Sequence, residues 1–141
     1  MQYRRSRQRE AILTALERQG GHLTADQIYL LVKAKFPRLS LGTVYRNLRI
    51  LTAQGAVREL DLGQTYRHFE LAKEAHYHLV CRSCGQVEDA EMPVDEAINL
   101  LAERSLVANG FKVEQHRLDF VGVCRDCQRP KKRSQRQRLS R

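Results

Sequence analysis

The chain has 141 residues, of which 42% are hydrophobic and 29% are charged, and its formal net charge is +9. That length fits one domain or two small ones, and that composition excludes a wholly disordered chain. No apolar run approaches the roughly 18 residues of a membrane span, and the basic start, Met1-Gln-Tyr-Arg-Arg, lacks the apolar stretch of a secretory signal.

The charge is unevenly divided along the chain. Residues 1–70 carry a net +6, residues 71–127 a net −4 and residues 128–141 a net +7. We therefore expect two functional units, the first with a polyanionic partner. The low-complexity tail over 128–141 is predicted to be disordered and to add nonspecific phosphate contacts.

Two amphipathic helices are predicted at the start of the chain. Ser6 is a suitable N-cap for a helix over residues 8–19, which Gly20-Gly21 ends. The capping-box pattern Thr24-Ala-Asp-Gln27 opens the second helix, which ends before Pro37. His22 lies between the two helices, and its position alone predicts a loop residue or a helix-capping group.

A third helix is predicted over Leu41 to Ala53, with Ser40 as its cap. Val44, Leu48 and Leu51 recur at i, i+4 and i+7 and form one buried stripe. The opposite face carries Thr43, Tyr45, Arg46 and Arg49.

Two short strands, near 56–60 and 66–71, follow this helix and are joined by a turn that contains Gly63. Three helices and a hairpin predict a winged helix, whose third helix would enter the major groove of DNA. A small helical bundle with an accessory hairpin is the alternative. We favour the winged helix because the exposed face of the third helix is basic and aromatic.

A second unit begins near Ala72. Strands are predicted over 76–80 and 86–90, a helix over 94–109 with Pro93 in its first turn, and a long strand over 111–123. The fold class is therefore α+β: an N-terminal winged helix-turn-helix domain (1–71) followed by a small α/β domain (72–127). The second domain is too small for a large core, so a metal or a second subunit should help it fold.

Two CxxC pairs, Cys81-Arg-Ser-Cys84 and Cys124-Arg-Asp-Cys127, stand at the two ends of this β-α-β unit. Four thiolates at this spacing suit one tetrahedral zinc ion, in a closed site that stabilises the fold. The alternative is a redox centre. It is disfavoured because neither pair is predicted to open a helix, as a thioredoxin-like motif does.

A second candidate metal site surrounds His76-Tyr77-His78. Residues i and i+2 of a strand face the same way, so both imidazoles can reach one ion. Glu70 and Asp89 are nearby, and a mixed nitrogen and oxygen ligand set suits Fe(II), Mn(II) or Zn(II). Two solvated histidines are the alternative, since HxH alone is a weak motif. His68 and His116 have no evident partners and are predicted to be structural.

Five segments resemble the ferric uptake regulator (Fur) family of metal-dependent repressors over residues 4–127: SRQREAIL, HLTADQIY, SLGTVYRNLRIL, HYHLVCRSCG and GVCRDC. The resemblance implies a cytoplasmic homodimer that binds double-stranded DNA operators and is not an enzyme. Its N-terminal domains would be winged helices, and the C-terminal α/β domain would dimerise. It also implies structural zinc at Cys81, Cys84, Cys124 and Cys127.

The resemblance further implies a regulatory metal between the domains, held by His22, Glu70, His76, His78 and Asp89. One metal tied to both domains would fix the relative orientation of the recognition helices. For DNA contact the resemblance and the exposed helix face indicate Thr43, Tyr45 and Arg46, with Arg4 near the minor groove. Nonspecific phosphate attraction is an equal alternative for Arg4, Arg5 and Arg7.

The peroxide-sensing branch of the family is the most similar in HYH, in GVCRDC and in Asp89, although Glu70 stands where that branch usually carries aspartate. This implies that Fe(II) reacts with hydrogen peroxide and that His22 or His76 is oxidised, which releases DNA, while Mn(II) gives a resistant repressor. Three alternatives remain: an iron-responsive repressor of the same fold, a CxxC thiol oxidoreductase with a nucleic-acid-binding arm, and a constitutive architectural DNA binder.

Overall fold

A computed structural model describes residues 6–130. Arg4, Arg5 and the basic residues 131–141 lie outside the described part, so the interpretations of them stay predictions. The described elements in chain order are α1 (Arg7–Arg18), β1 (Leu23–Thr24), α2 (Ala25–Lys33), α3 (Leu41–Ala53), β2 (Val57–Leu60), β3 (His68–Leu71), β4 (His78–Cys81), β5 (Val87–Asp89), α4 (Ala97–Ser105), a 3₁₀ turn (Val107–Asn109), β6 (Asp119–Gly122) and α5 (Arg125–Gln128).

The three N-terminal helices form where the capping signals predict them. Thr24 accepts a hydrogen bond from the backbone N–H of Gln27, whose side chain accepts one from the N–H of Thr24, which completes the capping box. Ser40 accepts from the N–H of Thr43 at the start of α3. Gly20 and Gly21 both adopt positive φ after α1, which turns the chain toward β1.

The winged helix is confirmed. Strands β2 and β3 form an antiparallel hairpin, and β1 adds to the other edge of β3, giving the order β1-β3-β2. The predicted stripe of α3 is buried, with Val44, Leu48 and Leu51 each at most 2% exposed. These side chains pack with apolar residues of α1, α2 and the sheet in one core. The hydrophobic effect therefore holds α3 against the sheet.

The second half of the chain forms a smaller sheet in the order β5-β4-β6. Strand β4 pairs antiparallel with β5 and parallel with β6, and α4 lies in the crossover between them. Buried side chains here are few and include Tyr77, Val80 and Val87. None of the residues of α4, β6 or α5 is buried. Within residues 6–130, no helix is long and apolar enough to cross a membrane.

Three predicted elements are wrong in extent. The strand predicted over 76–80 begins at His78, so His76 precedes it. The helix predicted over 94–109 is present only as α4 from Ala97 to Ser105, Pro93 lies before it, and a separate 3₁₀ turn covers Val107–Asn109. The strand predicted over 111–123 is present only over 119–122, because β4 offers β6 only residues 78–81 as partners.

The prediction that neither CxxC pair opens a helix is also wrong. Cys124 is the N-cap of the four-residue α5, which contains Cys127. The four sulfur atoms nevertheless converge, as described below.

Candidate functional site

The four cysteines meet at one end of the smaller sheet. Cys81 ends β4, Cys84 lies in the turn after it, and the second pair follows β6, whose parallel pairing with β4 brings both pairs together. All four Sγ atoms lie within 4.8 Å of one another. The Sγ atoms of Cys84 and Cys124 are 3.8 Å apart, and all four cysteines are free thiols.

This geometry matches a tetrahedral zinc site. Zinc–sulfur bonds of about 2.3 Å in a tetrahedron place the sulfur atoms about 3.8 Å apart, much farther than a disulfide does. Backbone N–H groups of Cys124 and Cys84 donate to the Cys81 sulfur and lower the pKa of its thiol to about 6. These donors stabilise a thiolate, which is the form that binds metal.

A second cluster lies where the two sheets meet. It contains the five residues that the sequence indicates as regulatory ligands: His22, Glu70, His76, His78 and Asp89. Each of them offers one ligand atom, and all these atoms lie within 4.8 Å of one another. The structure therefore brings together every member of the predicted set. This includes His22, whose position in the sequence alone predicts only a loop residue or a helix-capping group.

Both sheets contribute to this histidine cluster. His22 directly precedes β1 and Glu70 lies on β3, so both come from the winged-helix sheet. His78 and Asp89 are paired across β4 and β5, and His76 precedes β4. The cluster therefore joins the front and rear halves of the chain.

One buried carboxylate is at the centre of the cluster. The Oε2 atom of Glu70, whose side chain is 1% exposed, lies 3.0 Å from Nε2 of His22 and 3.1 Å from Nε2 of both His76 and His78. The Oδ1 atom of Asp89 lies 3.0 Å from Nε2 of His22 and 3.1 Å from that of His76. All three Nε2 atoms thus face the same small volume.

Both carboxylates of this cluster are held anionic. Burial raises the pKa of Glu70, but the imidazoles of His22 and His78 next to its carboxylate outweigh burial and keep this pKa well below its usual range. Burial likewise raises the pKa of Asp89, and the Lys73 ammonium group and His22 bring it below its usual value. Two ionised carboxylates next to three imidazoles give a site suited to a divalent cation.

The cluster also contains polar atoms without hydrogen-bond partners. Oε1 of Glu70 is buried without a hydrogen-bond partner, and Oδ1 of Asp89 accepts no hydrogen bond although Nε2 of His22 lies 3.0 Å from it. Burying a carboxylate oxygen without a hydrogen bond is costly, so a cation between the side chains would stabilise both atoms. The residues present fit a metal ion with nitrogen and oxygen ligands.

The α3 face predicted to contact DNA is accessible. Tyr45, Arg46 and Arg49 are exposed, whereas Thr43 is half-buried and its hydroxyl lies 2.8 Å from that of Ser40. Asn47, which sequence analysis missed, is buried and accepts a hydrogen bond from Arg9. This contact links α3 to α1 and so fixes the orientation of the exposed face.

His116, which is predicted to be structural and has no evident partner in the sequence, has two partners in the fold. The hydroxyl of Tyr77 lies 2.6 Å from its Nε2, and its Nδ1 lies 2.8 Å from Oδ1 of Asn99 in α4. The same tyrosine oxygen accepts from the N–H of Asp95. Tyr77, which directly precedes β4, is therefore linked through His116 to α4. These residues are far apart in the sequence, and only the fold brings them together.

The family profile described as "Ferric uptake regulator family" matches residues 1–121. The chain is 42% identical to the peroxide operon regulator of Bacillus subtilis over 121 residues, which cover 85% of this chain and 81% of that protein. A solved structure of the Campylobacter jejuni peroxide stress regulator is 30% identical, with a TM-score of 0.64, and the match covers 85% of this chain and 88% of that one.

The Helicobacter pylori ferric uptake regulator, whose structure shows three functional metal-binding sites, is 27% identical with a TM-score of 0.74. That match covers 92% of this chain and 85% of the other. The profile match, the identity to a curated relative and the shared architecture agree with one another. The chain therefore belongs to the ferric uptake regulator family, whose members are transcriptional regulators rather than enzymes.

Proposed function

We propose that the chain is a metal-dependent transcriptional repressor that senses hydrogen peroxide and acts as a homodimer on double-stranded DNA in the cytoplasm. The observation that carries this proposal is the histidine cluster, which takes ligand atoms from both sheets. A metal bound there ties the DNA-binding half of the chain to the other half. The identity to the peroxide operon regulator supports peroxide as the signal.

The two clusters have different roles in this proposal. Cys81, Cys84, Cys124 and Cys127 hold structural zinc, because four thiolates leave no open position for chemistry. His22, Glu70, His76, His78 and Asp89 hold the regulatory Fe(II) or Mn(II). Nitrogen and oxygen ligands of this kind suit these ions.

The response follows from where the imidazoles lie. Fe(II) held there would promote cleavage of the O–O bond of hydrogen peroxide, so that one ligand imidazole is oxidised by two electrons and gains one oxygen atom while the other oxygen leaves as water. His22 and His76 hold their Nε2 atoms 3.0 and 3.1 Å from Asp89 and are the candidate residues for oxidation. An oxidised imidazole loses its place in the cluster, so the two halves separate more easily and DNA binding loses its preorganisation.

DNA binding and dimerisation use separate surfaces. Residues 1–71 form the DNA-binding domain, with Tyr45, Arg46 and Thr43 at the bases or phosphates and Arg4 at the minor groove. Residues 72–127 form the dimerisation domain, and residues 128–141 are a basic tail. Apolar side chains exposed on this second domain support a self-association surface: Leu100, Leu101, Val107, Phe111 and Val121.

The test is anaerobic loading with Fe(II), followed by hydrogen peroxide at an equimolar dose. Peptide mass spectrometry should then find one added oxygen atom on the peptide of His22 or His76, with DNA released and zinc retained. Mn(II)-loaded protein is the matched control and should stay unmodified and DNA-bound. Unmodified histidines, with DNA binding lost only when iron is removed, would instead indicate an iron-responsive repressor.

A further inference from the structure

A third carboxylate, that of Asp119, lies next to the histidine cluster and contacts one of its imidazoles, His78. Asp119 begins β6, and the parallel register places it directly beside His78 of β4. Its Oδ1 atom lies 3.5 Å from Nδ1 of His78, whereas the other ring nitrogen, Nε2, contacts the cluster. Asp119 is not among the residues whose ligand atoms converge in the cluster.

The two ring nitrogens of His78 therefore face different partners. Nε2 lies 3.1 Å from Oε2 of Glu70 and 3.0 Å from Nε2 of His76, inside the cluster. Nδ1 faces only Asp119 among the ion pairs and hydrogen bonds of the described residues. A neutral imidazole carries one proton, so a proton held at Nδ1 leaves the Nε2 lone pair free for a metal.

A neighbouring ligand is arranged in the same way. Nδ1 of His76 lies 2.7 Å from the backbone carbonyl of Glu74, which fixes Nδ1 as the donor and Nε2 as the free nitrogen. The ammonium group of Lys73 contacts Oδ2 of Asp89, leaving Oδ1 facing the cluster. The ligand atoms of these residues are thus aimed by contacts outside the cluster, and Asp119 is the corresponding contact for His78.

We propose that Asp119 is a positioning residue for the regulatory metal: it accepts the Nδ1 proton of His78 and thereby presents Nε2 to the ion. The proposal rests on the metal-binding part of the proposed function. Carboxylate–histidine–metal arrangements fix the ring orientation and raise the basicity of the ligand nitrogen, and losing such a partner typically weakens metal affinity about 10- to 100-fold. The parallel register of β4 and β6 supplies the alignment.

The experiment compares four zinc-loaded proteins: wild type, Asp119→Ala, Asp119→Glu and Glu114→Ala. Glu114 is an exposed carboxylate in the segment leading to β6, so its variant controls for the lost charge. Mn(II) affinity is measured from the free-ion electron paramagnetic resonance signal. Asp119→Ala should bind about 10- to 100-fold more weakly, while Asp119→Glu and Glu114→Ala should stay within about threefold of wild type.

A second readout reports the proton itself. With Co(II) in the histidine cluster and zinc in the cysteine cluster, proton NMR shows a shifted exchangeable signal for the N–H of each ligand imidazole. Asp119→Ala should lose one such signal to rapid exchange with water, and Glu114→Ala should keep them all. A role that is only structural, or a long-range effect of charge, would not remove a single signal.

Several outcomes would overturn the inference. If wild type and Asp119→Ala bind Mn(II) within about twofold of each other and all signals are kept, the proposed role of Asp119 is refuted while the metal site is retained. If wild type itself binds no Mn(II), the proposed function and the inference both fail. Where Asp119→Ala loses zinc or unfolds, Asp119→Leu, which is similar in size to aspartate but has no acceptor, carries the test, and wild-type affinity with all signals kept in that variant would refute the role.

Discussion

The strongest prediction concerns His22, because it is the one imidazole of the histidine cluster that comes from the winged-helix half of the chain. Its side chain is 2% exposed, and its Nε2 lies 3.0 Å from both Glu70 and Asp89. Asp89 lies on β5 of the other sheet, so His22 is a direct contact between the two halves. Replacing it with alanine removes a proposed metal ligand and this contact together.

The magnitude follows from what a ligand contributes. Losing a residue that hydrogen-bonds to a metal ligand weakens metal affinity about 10- to 100-fold. Losing the ligand itself should therefore weaken it by at least the upper value. A 100-fold loss corresponds to about 2.7 kcal/mol of binding free energy. We therefore expect His22→Ala to bind Mn(II) at least about 100-fold more weakly than wild type and to lose the dependence of DNA binding on Mn(II).

His68→Ala is the matched control. His68 is also a buried histidine of the winged-helix half, 8% exposed on β3, but it is not part of the histidine cluster. Both variants should lower the free energy of unfolding of the zinc-only protein by about 1–3 kcal/mol. Only His22→Ala should lose Mn(II) affinity, as measured by titration calorimetry. Equal losses in the two variants would refute the reasoning, since ligation would then not be the cause.

Three further predictions concern other parts of the molecule. Arg46→Ala should weaken binding to a duplex selected by the wild-type protein by about 1–3 kcal/mol, whereas the exposed Arg104→Ala of α4 should not, as fluorescence anisotropy would measure. Leu48→Ala, at a site 1% exposed, should cost about 2–5 kcal/mol in urea unfolding. Tyr77→Phe leaves His116 and the N–H of Asp95 without their partner and should cost about 1–3 kcal/mol, whereas the exposed Tyr66→Phe should leave the urea midpoint unchanged.

Local signals in the sequence predicted the front half of the fold well. Helix α3 has the predicted bounds, because a serine cap and a regular apolar stripe act within one helix. Strand β1 was missed since its two residues show no periodicity, and it exists only because β3 offers a neighbouring edge. The shortened β6 has the same physical origin, because a strand ends where its partner ends.

The sequence predicted the cysteine cluster more completely than the histidine cluster. CxxC spacing alone placed the four cysteines together, since each pair is a local motif. His22 could be assigned to the second cluster only through the family resemblance, because 48 residues separate it from Glu70. Asp119 and the Tyr77–His116 contact escaped sequence analysis altogether. Both depend on how β6 and the segment before it lie against β4, which a long crossover sets.

The arrangement of β4 and β6 makes the two metal sites unequal. Strand β4 begins with His78 and ends with Cys81, and β6 pairs Asp119 with the first and Gly122 with the second. The two clusters thus lie at opposite ends of one strand pair, about 10 Å apart for three residues of rise. Zinc between Cys81 and Cys124 would clamp this pair, which has few buried side chains of its own.

The histidine cluster should therefore depend on zinc, whereas zinc should not depend on the histidine cluster. We expect Cys124→Ser to lose zinc and, with it, high-affinity Mn(II) binding, because β6 is then free to shift and Asp119 no longer faces His78. His22→Ala should retain one zinc ion per chain, as elemental mass spectrometry of the dialysed protein would measure. A zinc-free Cys124→Ser protein with wild-type Mn(II) affinity would contradict this order, and it would mean that hydrogen bonds between β4 and β6 suffice to align the sensor.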